Sequence, residues 1–178
     1  MDVAYVTFAG PAASVNAAIA TLGAGLHTAD TFQLWPIFIF SSHRAKTAFL
    51  NWSHPHLLGD SSHSSVLVVV LSPDEEHTYR HEWPNALFLL LPKSGMGLSY
   101  SRHVVHKLCT QRVPFYWAFD DNIVQFAELQ RPGHPPSSIS VREALLRTQQ
   151  MADISKFALV GFLRAIGRET CIVKPFTV

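Results

Sequence analysis

The sequence predicts an α/β domain built on a mainly parallel sheet with helices on both faces. Four compact apolar runs, "WPIFIF", "SVLVVVL", "ALFLLL" and "FYWAF", lack polar alternation, as strands covered on both faces do. The first three each open into a polar or Gly-rich loop and then into residues of helical character. That alternation returns the chain to start each strand in the same direction. With 178 residues, 48% of them hydrophobic, the chain suffices for one substantial core and is short for two, so residues 1–178 are expected to form a single domain.

The elements follow in order. Residues 1–30 suggest a short strand and an Ala-rich helix interrupted by Gly23 and Gly25; no function attaches to them. Pro36 stands at the start of the first apolar run, where its missing N–H does least harm, and the run ends in the polar "SSHR". "AKTAFLNWSHPHLL" begins as a short helix and breaks around Pro55. After the second run, Pro73 and the acidic "DEE" mark a helix start. "LSYSRHVVHKLC" has helical spacing, with Leu98, Ser101, Val105 and Leu108 as the expected inner face. "AELQRPGHPPSS" is a surface connection, and "VREALLRTQQMADI" an amphipathic helix. "KFALVGFLRAIGRETCIVKPF" suggests two strands around a Gly-containing turn, expected to supply an antiparallel C-terminal portion.

Charge narrows the partners. Lys+Arg 14 against Asp+Glu 13 gives a formal net charge of +1, so there is no broad electrostatic footprint for nucleic acid or an anionic membrane. The two cysteines, Cys109 and Cys171, form no CxxC pattern and argue against a disulfide framework or a cysteine-ligated zinc site. No apolar stretch approaches the ~20 residues of a membrane span, and the N-terminus lacks the basic flank of a secretory signal. The expected location is intracellular, and the "NWS" tripeptide at Asn51 then carries no weight as a glycosylation site.

Three constellations bear chemistry. Asp120, Asp121 and Asn122 follow a run of aromatic residues in a chain only 15% charged. Adjacent carboxylates at a buried strand end repel, and either backbone donors or a bound cation relieve that repulsion. The trio therefore either caps a helix beginning near Ile123 or holds Mg2+ or Mn2+, the hard cations that suit oxygen ligands. "KSGMGLSYSR" places Gly95 and Gly97, which permit close backbone approach, between Lys93 and Arg102, two cationic donors suited to phosphate. It is neither the Walker loop nor the GxGxxG fingerprint. Ser42, His43 and Arg44 supply hydroxyl, imidazole and guanidinium at the mouth of the first run. His77 and His81 have i,i+4 spacing, but the order is not HExxH and no third ligand is evident.

Taken together and in order, "WPIFIFSSHRA", "VLVVVLSPDEEHTY", "LFLLLPKSGMGLSYSRH" and "FYWAFDDN" resemble successive segments of GT-A (Rossmann-like) nucleotide-sugar glycosyltransferases. The sequence is most similar to the TET/JBP-associated glycosyltransferase family, which includes a related domain of an estrogen-regulated nuclear growth protein. The resemblance runs from about Trp35 to Asn122 and extends less closely toward Phe176. It implies transfer of a hexose from a UDP-sugar to a hydroxyl, either on a hydroxymethylated DNA base or on protein Ser/Thr, in the nucleus or cytoplasm.

Carried onto this chain, the resemblance puts Ser42 and Arg44 near the nucleoside, and Lys93, Gly97 and Arg102 on the nucleotide and its pyrophosphate. Asp120 is placed at the ribose or a metal-bound water, with Asp121 and Asn122 on the cation. His43 and His103 depart from the small residue and the Asn that the family favours there. An inverting transfer also needs a base. Asp153 is the downstream candidate, with Glu143 as the alternative, and Arg164, Arg168 and Lys174 are late candidates for phosphate contact. Two other functions fit the same residues: a non-catalytic regulatory or protein-binding relative, and a metal-dependent phosphohydrolase or nuclease.

Overall fold

The computed structural model describes residues 6–23, 34–48, 50, 67–110, 115–123, 125–128 and 136–151. Its principal sheet is five-stranded. Strands β1 (Thr7–Ala9), β2 (Ile37–Phe40), β3 (Leu67–Leu71), β4 (Phe88–Leu90) and β5 (Trp117–Asp120) lie in the order β1-β4-β3-β2-β5. The pairs β3–β4, β2–β3 and β2–β5 are parallel, and β1 runs antiparallel to β4. All four predicted apolar runs are strands of this sheet.

Over β2, β3 and β4 both faces of the sheet are covered, which is why these strands lack polar alternation, whereas in β5 Ala118 and Asp120 are exposed. On one face Ile37, Ile39, Val69, Leu71, Phe88 and Leu90 form a core with Tyr79 and with Val141, Ala144 and Leu145. On the other, Phe38, Phe40, Val68, Val70, Leu87 and Leu89 pack against Ala18, Leu22, Val104, Val105, Leu108 and Cys109. The period of two along each strand divides its side chains between these cores. At about 25 cal/mol per Å2 of apolar surface removed from water, burial on both faces is the main term favouring the fold.

Among the described residues four helices supply the covering: α1 (Ala12–Gly23), α2 (Glu76–Glu82), α3 (Gly97–Thr110) and α4 (Val141–Gln149). A 3-10 turn, Pro73–Glu75, leads into α2, consistent with the Pro and acidic start expected there. The Ser140 side chain caps α4 by accepting from the Glu143 N–H. Strands β6 (Phe126–Glu128) and β7 (Ser137–Ile139) form a separate antiparallel pair.

Three local expectations are corrected. A turn at Asp121 and Asn122 leads to β6, so no helix begins near Ile123 for the trio to cap. The inner face of α3 is Val104, Val105, Leu108 and Cys109, whereas Leu98 is 46% exposed; in the first turn of the helix it is Tyr100 that packs against this core. "AELQRPGHPPSS" contributes residues to β6 and β7 instead of serving wholly as a connection. The described antiparallel strands are β1, β6 and β7. The C-terminal strand pair, most of the segment after Ala45, Asn51, Asp153, Arg164, Arg168 and Lys174 lie outside the described residues.

Candidate functional site

Chain order and sheet order together locate the site. From β2 the chain proceeds to β3 and β4 on one side, then returns to place β5 on the other side of β2. In open parallel sheets, the point of reversal leaves a crevice beyond the carboxyl ends of the two strands, where ligands gather. Phe40 and Asp120 are register partners at those ends. The Ser41–Arg44 loop and the Asp120–Asn122 trio are therefore neighbours, although some eighty residues separate them in sequence.

A closed hydrogen-bond circuit joins them. The Ser41 hydroxyl donates to Oδ2 of Asp121 at 2.6 Å, so the 2.5 Å contact between Ser41 Oγ and Tyr79 is made by the tyrosine proton. The Tyr79 oxygen in turn accepts the Arg44 N–H at 3.1 Å. The Arg44 guanidinium closes the circuit on Oδ1 of Asp121 at 3.0 Å. Asp121 is 5% exposed, and both of its oxygens are engaged, which is how a carboxylate is tolerated at a buried position. Burial pushes the Tyr79 hydroxyl above its ordinary pKa, opposed by its hydrogen bonds with Ser41 and Arg44, so it remains protonated at neutral pH.

The preceding residue, Asp120 at the end of β5, faces a second cation. Arg102, in the second turn of α3, donates from Nη2 to Oδ1 of Asp120 at 3.0 Å. Its guanidinium also lies 5.8 Å from the centroid of the Phe40 ring, within range of a cation–π attraction. Both members of this pair are about half exposed, so they are open to a ligand.

The expected residues divide accordingly. Ser42, Arg44, Asp120, Asp121 and Asn122 gather at the β2 and β5 ends, and Arg102 reaches them from α3. Gly97 begins α3 with φ +77° and Gly95 precedes it with φ +68°, conformations that favour glycine. Lys93 is exposed in the same loop, and among the described residues no ion pair or hydrogen bond ties it to the trio. Glu143 pairs with Arg147 at 2.5 Å, and Arg147 with Glu128 at 2.7 Å, so the alternative base is held in a surface network. His77 and His81 are exposed, and among the described residues no group of three metal-ligating side chains assembles.

Sequence reasoning missed Glu75, Tyr79 and Trp83. Glu75, only 7% exposed, accepts the His43 N–H and the Ser42 hydroxyl, the latter at 3.3 Å. Trp83 Nε1 donates to the Ala45 carbonyl at 2.6 Å. The available signal was their i, i+4, i+8 spacing, which stacks them on one helix face.

The trio offers oxygen donors for Mg2+ or Mn2+. Asp120 and Asn122 are exposed oxygen donors of the kind those ions favour, so the donor chemistry fits. Asp121 would have to release Ser41 or Arg44 to bind a cation directly.

A Rossmann-like sheet with acidic and guanidinium side chains meeting at its reversal point defines an open α/β domain with a candidate ligand site at the carboxyl ends of its strands. Residues 35–164 match the family TET-Associated Glycosyltransferase, and the chain belongs to that family. It is thus a glycosyltransferase-related domain, whose class implies a nucleotide-sugar donor and an acceptor. No curated protein and no solved structure matches the chain. Among the described residues no helix is long and apolar enough to cross a membrane.

Proposed function

We propose that the domain is a metal-dependent glycosyltransferase that takes a hexose from a UDP-sugar bound across the β2 and β5 ends and passes it to a hydroxyl. The observation that carries this reading is the meeting of Arg44, Arg102 and the acidic trio at the reversal point of the sheet. Arg102 donates to the diphosphate, replacing its contact with Asp120. Asp120 and Asn122 hold a divalent cation, while Asp121 fixes their position by anchoring the end of β5 to Ser41 and Arg44. When bound, the cation neutralises charge gathering on the departing nucleotide, so it stabilises the transition state more than the ground state. Asp153 remains the proposed base. The acceptor is a hydroxymethylated base in DNA or a Ser/Thr of a nuclear protein; with near-balanced charge, a DNA acceptor calls for basic surface from elsewhere.

Calorimetry of the full chain with UDP and manganese tests the donor site. Binding is expected for the wild type and a large loss for Asp120→Ala; wild-type silence would overturn the proposal. A mass-spectrometric screen of UDP-sugars against hydroxymethylated DNA and nuclear protein then tests transfer. One observation favours a second reading, a regulatory or protein-binding module without turnover: both Asp121 oxygens are already engaged. Binding of UDP with no sugar transferred to any acceptor would select it. Release of phosphate or cleaved DNA without sugar transfer would select a hydrolase.

A further inference from the structure

Glu75, Tyr79 and Trp83 hold five consecutive residues of the loop after β2. Glu75 accepts from the Ser42 hydroxyl and the His43 N–H, Tyr79 donates to Ser41 and accepts the Arg44 N–H, and Trp83 donates to the Ala45 carbonyl. Three of these contacts, to the His43 and Arg44 N–H groups and the Ala45 carbonyl, take up backbone groups that the sheet no longer pairs once β2 ends. The loop needs this support, because His43 has φ +55°, a left-handed conformation costing a non-glycine residue about 1–2 kcal/mol. The His43 ring adds a 3.4 Å approach of Nδ1 to the Glu75 carboxylate, although the ring itself is largely in solvent.

Two of the three holding groups are buried. Tyr79 is 1% exposed and meets Phe88 edge-on, with ring centroids 6.4 Å apart. The Glu75 carboxylate has little access to water, so losing its hydrogen bonds would leave a buried charge uncompensated. Two residues of the held loop, Ser41 and Arg44, bind Asp121, whereas the phosphate-facing pair Arg102 and Asp120 touches none of the three.

We propose that Glu75, Tyr79 and Trp83 are positioning residues that fix the 41–45 loop in the shape that recognises the nucleoside half of the donor. This rests on the donor-site reading above. Because neither Arg102 nor Asp120 bonds Glu75, Tyr79 or Trp83 directly, loss of these holding groups should change discrimination between nucleosides more than affinity for diphosphate as such.

The test uses the full chain with UDP and ADP as probes, each with manganese, comparing wild type with Glu75→Gln, Tyr79→Phe and Trp83→Phe. Glu75→Gln and Trp83→Phe should each lower the preference for UDP over ADP by about three- to tenfold, the effect of one lost hydrogen bond, and Tyr79→Phe, which loses two, by at least as much. Trypsin should also cut faster after Arg44 or Lys46 in each. A merely destabilised protein would bind fewer equivalents of both nucleotides without changing their ratio of dissociation constants. Arg102→Ala, the control, should weaken both nucleotides alike. Wild-type binding with an unchanged UDP-to-ADP ratio in all three variants would overturn the inference alone. Failure of the wild type to bind either nucleotide would overturn the donor-site reading and the inference with it.

Discussion

Asp121 is where the loop after β2 and the end of β5 are joined, through Ser41 and Arg44. Replacing it with Ala removes a charge-assisted hydrogen bond and an ion pair. Arg44 is 42% exposed and returns to solvent, so the cost should be about 2 kcal/mol, below the 3–5 kcal/mol of a severed buried pair. Urea unfolding of Asp121→Ala should show that loss with an unchanged slope; no loss would mean that the circuit contributes nothing to the fold. Tyr79 gives a pH prediction. Its folded pKa is raised, chiefly by burial, so its contribution is fully present below about pH 10 and declines as pH rises through the folded value. Denaturant unfolding should therefore weaken above that pH, and Tyr79→Phe should remove that component of the decline. Burial also raises Tyr116, which will contribute a separate component.

The turn from β1 into α1 depends on Gly10, which has φ +148° and leaves no room for a side chain: a Cβ there would lie 2.8 Å from the Ala86 carbonyl oxygen. Gly97 also has positive φ, but its surroundings are open. Gly97→Ala should cost about 1–2 kcal/mol through conformation alone, and Gly10→Ala more, since a backbone oxygen cannot swing aside. Equal losses in thermal unfolding would show that the β1–α1 turn relaxes freely. Continuous apolar runs revealed β2, β3 and β4 because burial on two faces suppresses polar residues at every position; β5, with Ala118 and Asp120 exposed, was marked by its aromatic residues alone. Periodicity was less informative for α3. A period of 3.6 places Leu98 on the stripe, but it carries no information on whether a turn reaches the core.

For the whole molecule, the separation between what holds the fold and what is open at the site is the testable feature. Arg102 and Asp120 are both about half exposed, so their ion pair should contribute no more than about 1 kcal/mol to folding. Arg102→Ala should accordingly leave the unfolding free energy nearly unchanged while weakening binding of UDP with manganese. Calorimetry beside urea unfolding checks both halves. A large stability loss would place Arg102 among the structural residues, and unchanged UDP affinity would remove it from the donor site.

The sequence by itself determined the strands of the parallel sheet, the amphipathic helix that became α4, and an acidic trio at a strand end, because continuous apolar runs and helix period leave local signatures. Only the tertiary structure decided that β5 lies beside β2, that Asp121 faces inward while Asp120 meets Arg102, and that Glu75, Tyr79 and Trp83 grip residues 41–45. Strand neighbours are selected by packing between residues far apart in the chain, and no local pattern records which carboxylate of an adjacent pair will find a buried partner.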